Sequence, residues 1–187
     1  MDNLLVLGKN SPPSGEMLEQ IYSLMERSFP SSERHSLRVF SGQFAREEFR
    51  SLCLWDGALY GFLNLWDFGE FVYFEHFAVE PSLRGRGTGT MLIKEALRLC
   101  GGKIVVLEAE PRELGETAER RLSFYGRIGF KENPYPYIQP SMQEGEPPVP
   151  LVILSAPDIL DEAGFMSVKN TLYRQVYGAK KGASDNS

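Results

Sequence analysis

Residues 84–90 read Arg-Gly-Arg-Gly-Thr-Gly-Thr, or RGRGTGT. The stretch follows an aromatic and β-branched run, "EFVYFEHFAVEP", and opens an apolar-periodic one, "TMLIKEALRLC". It is therefore a strand-to-helix turn. A helix start leaves its first N–H groups unpaired and carries partial positive charge, which together attract anions, phosphate above all. Gly87 and Gly89 allow close backbone approach, and Arg84 and Arg86 add charge-assisted contacts. Two common phosphate motifs do not fit. A P-loop needs Gly-Lys-Ser/Thr at the helix start, and the residues here are Gly89-Thr90-Met91. Gly85, Gly87 and Gly89 have the wrong spacing for the dinucleotide fingerprint Gly-x-Gly-x-x-Gly. What remains is the order Arg84-x-x-Gly87-x-Gly89.

Outward from this turn the chain alternates strands and helices. "NLLVL" predicts a first strand and "EMLEQIYSLMERSF" an amphipathic helix. "SERHSLRVFSGQFAREEF" predicts a second helical region. "RSLCLWDGALYGFLNLWDF" reads as strand, Asp56-Gly57 turn, strand, and "GEFVYFEHFAVEP" adds a third strand to an antiparallel meander. After the glycine turn, "GTGTMLIKEALRLC" is a helix stopped by Gly101-Gly102, and "KIVVLEAEP" is a strand. Strand, helix, strand predicts a parallel pair with a right-handed crossover. "LGETAERRLSFYGRIGF" is the next helix, closed by Gly129, and "YPYIQPSMQEGEPPVP" is loop. "LVILSAP" is a strand, and residues 158–178 form a C-terminal helix. The reading is one domain over 1–178 with a disordered polar tail over 179–187.

Composition narrows the function classes. The 187 residues are 42% hydrophobic and 24% charged, with a formal net charge of −5. That balance disfavours nucleic acid and anionic membrane surfaces as partners and suits a cationic substrate. Two cysteines, Cys53 and Cys100, lack ligand spacing and read as buried free thiols of a reducing compartment. Two histidines, His35 and His76, argue against a zinc site, so no metal is expected. The N-terminal "MDNLLVLGKN" lacks the basic segment and apolar length of a signal peptide, and a cytoplasmic location is expected.

The order Arg84-x-x-Gly87-x-Gly89 resembles motif A of the GCN5-related N-acetyltransferases (GNAT), Arg/Gln-x-x-Gly-x-Gly/Ala. "FEHFAVEPSLRGRGTGTMLIKEAL" is similar to that family's fourth strand, pyrophosphate loop and third helix. "LSFYGRIGF" resembles its motif B. The matching order of elements runs from the first helix to "LVILSAP". The resemblance implies an α/β (α+β) fold: a mixed central sheet with an antiparallel N-terminal meander, a parallel pair splayed at the cofactor site, and helices on both faces. It implies acetyl-CoA as co-substrate and transfer of its acetyl group, by direct attack, to a primary amine of a small molecule or peptide.

It also implies roles, residue by residue. Arg84, Gly85, Arg86, Gly87, Thr88, Gly89 and Thr90 would hold the pyrophosphate. The backbone of Phe77, Ala78 and Val79 would meet the pantetheine arm, with the Val79 N–H as oxyanion donor. Tyr125 would contact the cofactor and act as general acid to the departing sulfur; packing on the helix's buried face is its structural alternative. The base would come from the fourth strand at Tyr73 or Glu75. Strand alternation puts Tyr73, Glu75, Phe77 and Val79 on one face and His76 on the other; Glu75 is the expected base, with a solvated or structural carboxylate at Glu75 and His76 as base as the alternatives.

Other features stay open. Glu108 and Glu110 share a strand face, where they hold a cationic substrate or face solvent. Tyr135, Tyr137, Trp66 and Phe68 wall an acceptor pocket or pack in the core. Ala118 stands where many family members place a cofactor-contacting asparagine, which removes one expected contact. A non-catalytic acyl-CoA-binding sensor or interaction module on the same fold is the alternative function. Leu160, Phe165, Val168, Leu172 and Val176 on the C-terminal helix either face a partner, as in a homodimer, or pack on the protein's own sheet.

Overall fold

The computed structural model describes residues 3–142 and 145–178; the predicted tail over 179–187 lies outside them. In chain order the elements are β1 (Leu4–Gly8), α1 (Gly15–Ser28), α2 (Leu37–Gln43), β2 (Phe49–Trp55), β3 (Leu59–Asp67), β4 (Phe71–Val79), α3 (Thr88–Leu99) and β5 (Ile104–Ala109). They continue with α4 (Glu116–Ile128), β6 (Lys131–Glu132), β7 (Tyr137–Gln139), β8 (Val149–Ala156) and α5 (Glu162–Gln175). The strands make one mixed sheet in the order β1-β2-β3-β4-β5-β8-β6, with β7 paired to β8.

Local chemistry explains the boundaries. Ser14 caps α1 by accepting the Met17 N–H, and Asp161 caps α5 by accepting that of Gly164. Gly57 turns the β2–β3 hairpin with φ +71°, and Gly129 ends α4 with φ +108°. Two predicted spans were too long. The second helical region contracts to α2 and a 3-10 turn at Ser31–Glu33. The C-terminal helix starts only after Asp161, whose side chain caps it. The proline-rich loop contains a short strand, β7, which uses Tyr137 and Gln139 as its buried side.

The sheet divides two cores. On one face α1, α2 and α5 cover a cluster built around Phe40, Phe49, Phe62, Trp66, Tyr73 and Ile153. On the other, α3 and α4 cover a cluster built around Leu63, Phe74, Leu92, Ile93, Leu107 and Leu122. Phe165, Val168 and Leu172 of α5, with Val176 just after it, are buried in the first cluster. At about 1.5–3 kcal/mol for each such side chain, α5 is a core element, and these residues do not form a free partner face.

Two irregularities of β4 shape the middle of the sheet. Its parallel pairing with β5 runs only from Phe71↔Ile104 to Phe74↔Leu107, although both strands continue. The strands therefore part beyond Phe74, as expected for a splayed pair. The register between β3 and β4 also slips, from Leu65↔Phe74 to Asn64↔His76. Glu75 is the extra residue of a β-bulge.

Candidate functional site

The parting of β4 and β5 opens a cavity of about 550 Å³. Its walls include Phe77, Val79, Arg84, Gly87, Gly89 and Thr90 at one end. Glu33, Tyr73, Glu75, His76, Glu108 and Gln139 lie elsewhere on the same walls, with Phe124 and Tyr125 on α4. The sequence-predicted loop, strand and tyrosine thus meet around one space.

Both free edges of the opening present backbone. The Glu80 N–H donates to Tyr60 O at 3.0 Å, across to β3. Alternation along the strand then turns the Val79 N–H the other way, into the opening, and that of Phe77 with it. The loop below is bent by Gly85 (φ +74°) and Gly87 (φ +83°). Gly87 caps α3 without any side chain, so the first N–H groups of that helix are not capped. Gly89 serves close packing: a Cβ there would lie 2.9 Å from the Phe77 ring. Both arginines of the loop are exposed, and Arg84 Nε donates to Val79 O at 3.0 Å, which fastens the loop to β4. These features leave bare backbone N–H groups and two arginines together at the start of α3.

Tyr125 packs edge-on against Phe124 and Phe130 and is buried, yet it also lines the cavity. Burial, only partly opposed by the Arg121 charge, pushes its phenol up to about 12. It therefore keeps its proton at any physiological pH. Ala118, two turns before it on α4, is buried and offers no polar side chain.

The bulge corrects the expected facing of β4. Tyr73 and Ala78 lie in the α1/α2/α5 cluster, but Phe77 packs on the opposite side, its ring parallel to Phe124 at 6.2 Å. Tyr73, Glu75, Phe77 and Val79 thus do not share one face. His76 does not point away from Glu75; it sits beside it. Glu75 Oε2 accepts the Trp66 Nε1–H at 2.9 Å and lies 3.7 Å from His76 Nδ1. Glu75 Oε1 lies 3.8 Å from His35 Nε2. Burial raises the Glu75 carboxyl, but the two histidines and Trp66 outweigh it and hold it below the usual carboxylate range. Burial lowers His76, but Glu75, the Glu33 carbonyl and Glu108 outweigh it and hold the imidazole above its usual value.

Glu108 does not face solvent. It is buried and accepts hydrogen bonds from Tyr73 (2.7 Å), Tyr177 (2.6 Å) and Tyr137. Burial raises its carboxyl despite these donors. Glu110 pairs with Arg121 at 2.5 Å. Trp66, Phe68, Tyr135 and Tyr137 belong to or pack against the core cluster and are not among the cavity's walls. Sequence reading missed Glu33, Gln139 and Met142 on those walls. Each comes from a turn or short strand without periodicity, so no pattern marked it. Two of these segments also touch: Met142 N donates to Ser32 O at 3.4 Å, and Ser31 Oγ to Glu146 at 2.6 Å. Among the described residues no cluster of metal-ligating side chains occurs.

Comparison with known proteins agrees with this architecture. Residues 47–132 match the family model for the acetyltransferase (GNAT) domain. No curated protein is matched. A solved GNAT-family protein from Bacteroides thetaiotaomicron superposes with a TM-score of 0.84 at 28% identity, covering 95% of this chain and 99% of that one. An aminoglycoside 6'-N-acetyltransferase complexed with coenzyme A superposes with a TM-score of 0.58 at 16% identity, covering 81% and 94%. Naa50 of Arabidopsis thaliana, complexed with a bisubstrate analogue, gives 0.58 at 17% identity, covering 82% and 97%. The last two speak for the fold alone. The glycine loop, the parted strands and the domain match agree: residues 47–132 match a GNAT acetyltransferase domain, and the whole chain is similar to GNAT proteins in fold.

Proposed function

We propose that the protein is an acetyl-CoA-dependent N-acetyltransferase that moves the acetyl group by direct attack of a primary amine. The observation that carries the reading is the parting of β4 and β5 beyond Phe74 and Leu107, with a helix N-terminus and Tyr125 on the same cavity. Acetyl-CoA is a substrate here, and the residues suit it. The bare N–H groups of residues 85–90 and the Arg84 and Arg86 charges suit its pyrophosphate. The exposed β4 edge at Phe77, Ala78 and Val79 suits the amide-bearing arm. The Val79 N–H is aimed where the thioester oxygen gains charge. Tyr125 donates the proton that the departing thiolate needs, and Glu75 receives the one that the acceptor ammonium must lose.

The acceptor is the amine of a small molecule or a peptide. The carboxylates of Glu33, Glu75, Glu108 and Glu110 around the cavity favour a cationic one. One domain spanning 1–178 carries the activity.

Two measurements test the reading. Coenzyme A should raise the melting temperature of the protein, since a ligand that binds only the native state stabilises it. Free thiol should appear when acetyl-CoA is mixed with members of an amine panel. No thermal shift removes the cofactor assignment. A shift without thiol release from any amine favours a binding module instead.

A further inference from the structure

Glu75 and His76 are neighbours in sequence on a β-strand, yet both reach the same cavity wall. The bulge makes this happen, since Glu75 has no partner across β3 and the alternation restarts at His76. The imidazole is held from outside: His76 Nε2 lies 2.8 Å from the Glu33 carbonyl oxygen, and the Phe29 ring meets it edge-on at 4.9 Å. A carbonyl only accepts, so Nε2 carries the hydrogen. In the neutral ring Nδ1 is then a lone pair. It has no hydrogen-bond partner among the described residues and faces Glu75 Oε2 at 3.7 Å. Two acceptors confront each other, and a single proton between them turns repulsion into attraction.

We propose that Glu75 and His76 act as one proton-accepting unit, Glu75 taking the proton of the acceptor ammonium at the cavity and His76 holding it behind. The inference rests on the N-acetyltransferase reading and deepens it. Glu75 is fixed for this by the Trp66 N–H on Oε2. A carboxylate is a far weaker base than an amine and holds its proton only briefly on its own. An imidazole behind it is the stronger base of the two and narrows the mismatch. The carboxyl groups around His76 agree with an imidazolium: Glu75 from its own strand, Glu33 from the 31–36 segment and Glu108 from β5, while Tyr73 shares the cavity wall and His35 lies on the far oxygen of Glu75.

The protons balance. The acceptor ammonium gives one proton to Glu75, and His76 stores it and releases it to solvent. The neutral nitrogen attacks the carbonyl carbon, and the carbon–sulfur bond breaks. The nitrogen sheds a second proton, which replaces the one Tyr125 gives to the sulfur. Amide, thiol and one free proton result.

The chain has only two histidines, which makes the test direct. Imidazole resonances of the full chain would be followed by NMR against pH, with His76→Gln assigning the signals. His76 should titrate above 6.5, and Glu75→Gln should lower that value by about one unit or more. Glutamine at 76 can still donate from Nε2 to the Glu33 carbonyl, so the segment stays anchored. That variant should lose about ten-fold or more in kcat with KM for acetyl-CoA little changed, and the acid limb of its pH profile should no longer follow the imidazole. A His76 that titrates at or below 6.5, or that ignores Glu75→Gln, overturns the shared proton. A wild-type acid limb retained in His76→Gln overturns the storage role. A shared proton in a protein that acetylates no amine overturns the enzymatic reading, and the base role falls with it.

Discussion

Tyr125 combines a packing position with the acid role proposed for it. Its ring fills the core between Phe124 and Phe130, and its position on the cavity wall exposes it to whatever binds there. Because burial lifts its phenol to about 12, the proton is present throughout the neutral and alkaline range. Activity should therefore show no loss from this group below about pH 11, one unit under its titration, and the rate plateau should run far into alkali. Tyr125→Phe keeps the ring and removes only the hydroxyl. Stability should change by less than about 1.5 kcal/mol, the usual net worth of a single hydrogen bond, while kcat falls by about 10²- to 10⁴-fold. Steady-state kinetics beside a denaturation curve separate the two effects. Unchanged turnover would remove Tyr125 from the acid role and leave it a core residue.

At the scale of the element, β4 supplies most of the site, and its neighbours leave it little room. A Cβ on Gly61 would meet the Ala78 carbonyl oxygen at 2.9 Å, which is backbone and cannot swing aside. Gly61→Ala must push β3 from β4 just where β4 borders the cavity. It should cost about 1–3 kcal/mol by denaturant titration and weaken coenzyme A binding as well. Gly89→Ala differs, because it meets the far end of the Phe77 ring. That ring lies parallel to Phe124 on α4, so it yields only by disturbing the helix that carries Tyr125. It should lower coenzyme A affinity more than it lowers stability, as a thermal shift with and without coenzyme A would record.

The same strand marks how far sequence could be read. Its limits, its parallel partner and the glycine turn after it follow from composition and spacing, because each is a local preference. The bulge at Glu75 does not. Nothing in "YFEHFAV" distinguishes a regular strand from one with an extra residue, since the slip is decided by the register with β3. Alternation counted through the bulge therefore separates Glu75 from His76 and misplaces Phe77. Glu33, Gln139 and Met142 escaped for a related reason, being brought to the cavity by tertiary packing of segments without period.

At the scale of the whole molecule, Glu108 joins parts of the chain that are far apart. Its carboxylate takes hydroxyls from Tyr73 on β4, Tyr137 on β7 and Tyr177 beyond α5. The C-terminal helix is thus tied to the centre of the sheet at the edge of the cavity. The charge is nevertheless costly, because burial raises the carboxyl above its ordinary value of 4.5 despite three donors. A raised folded-state value means that the native protein binds the proton more tightly than the unfolded chain. The contribution to stability is then full below pH 4.5 and declines as pH rises through the folded value. Glu108→Gln carries no charge to bury at any pH, and the tyrosine hydroxyls can turn to accept from its amide. The deficit of this variant relative to the wild type should therefore be largest near pH 4 and shrink toward pH 8. Thermal denaturation of both proteins across that range would measure it. A deficit that grows with pH would mean that the carboxylate stabilises the fold as an anion, and that the three hydroxyls outweigh its burial.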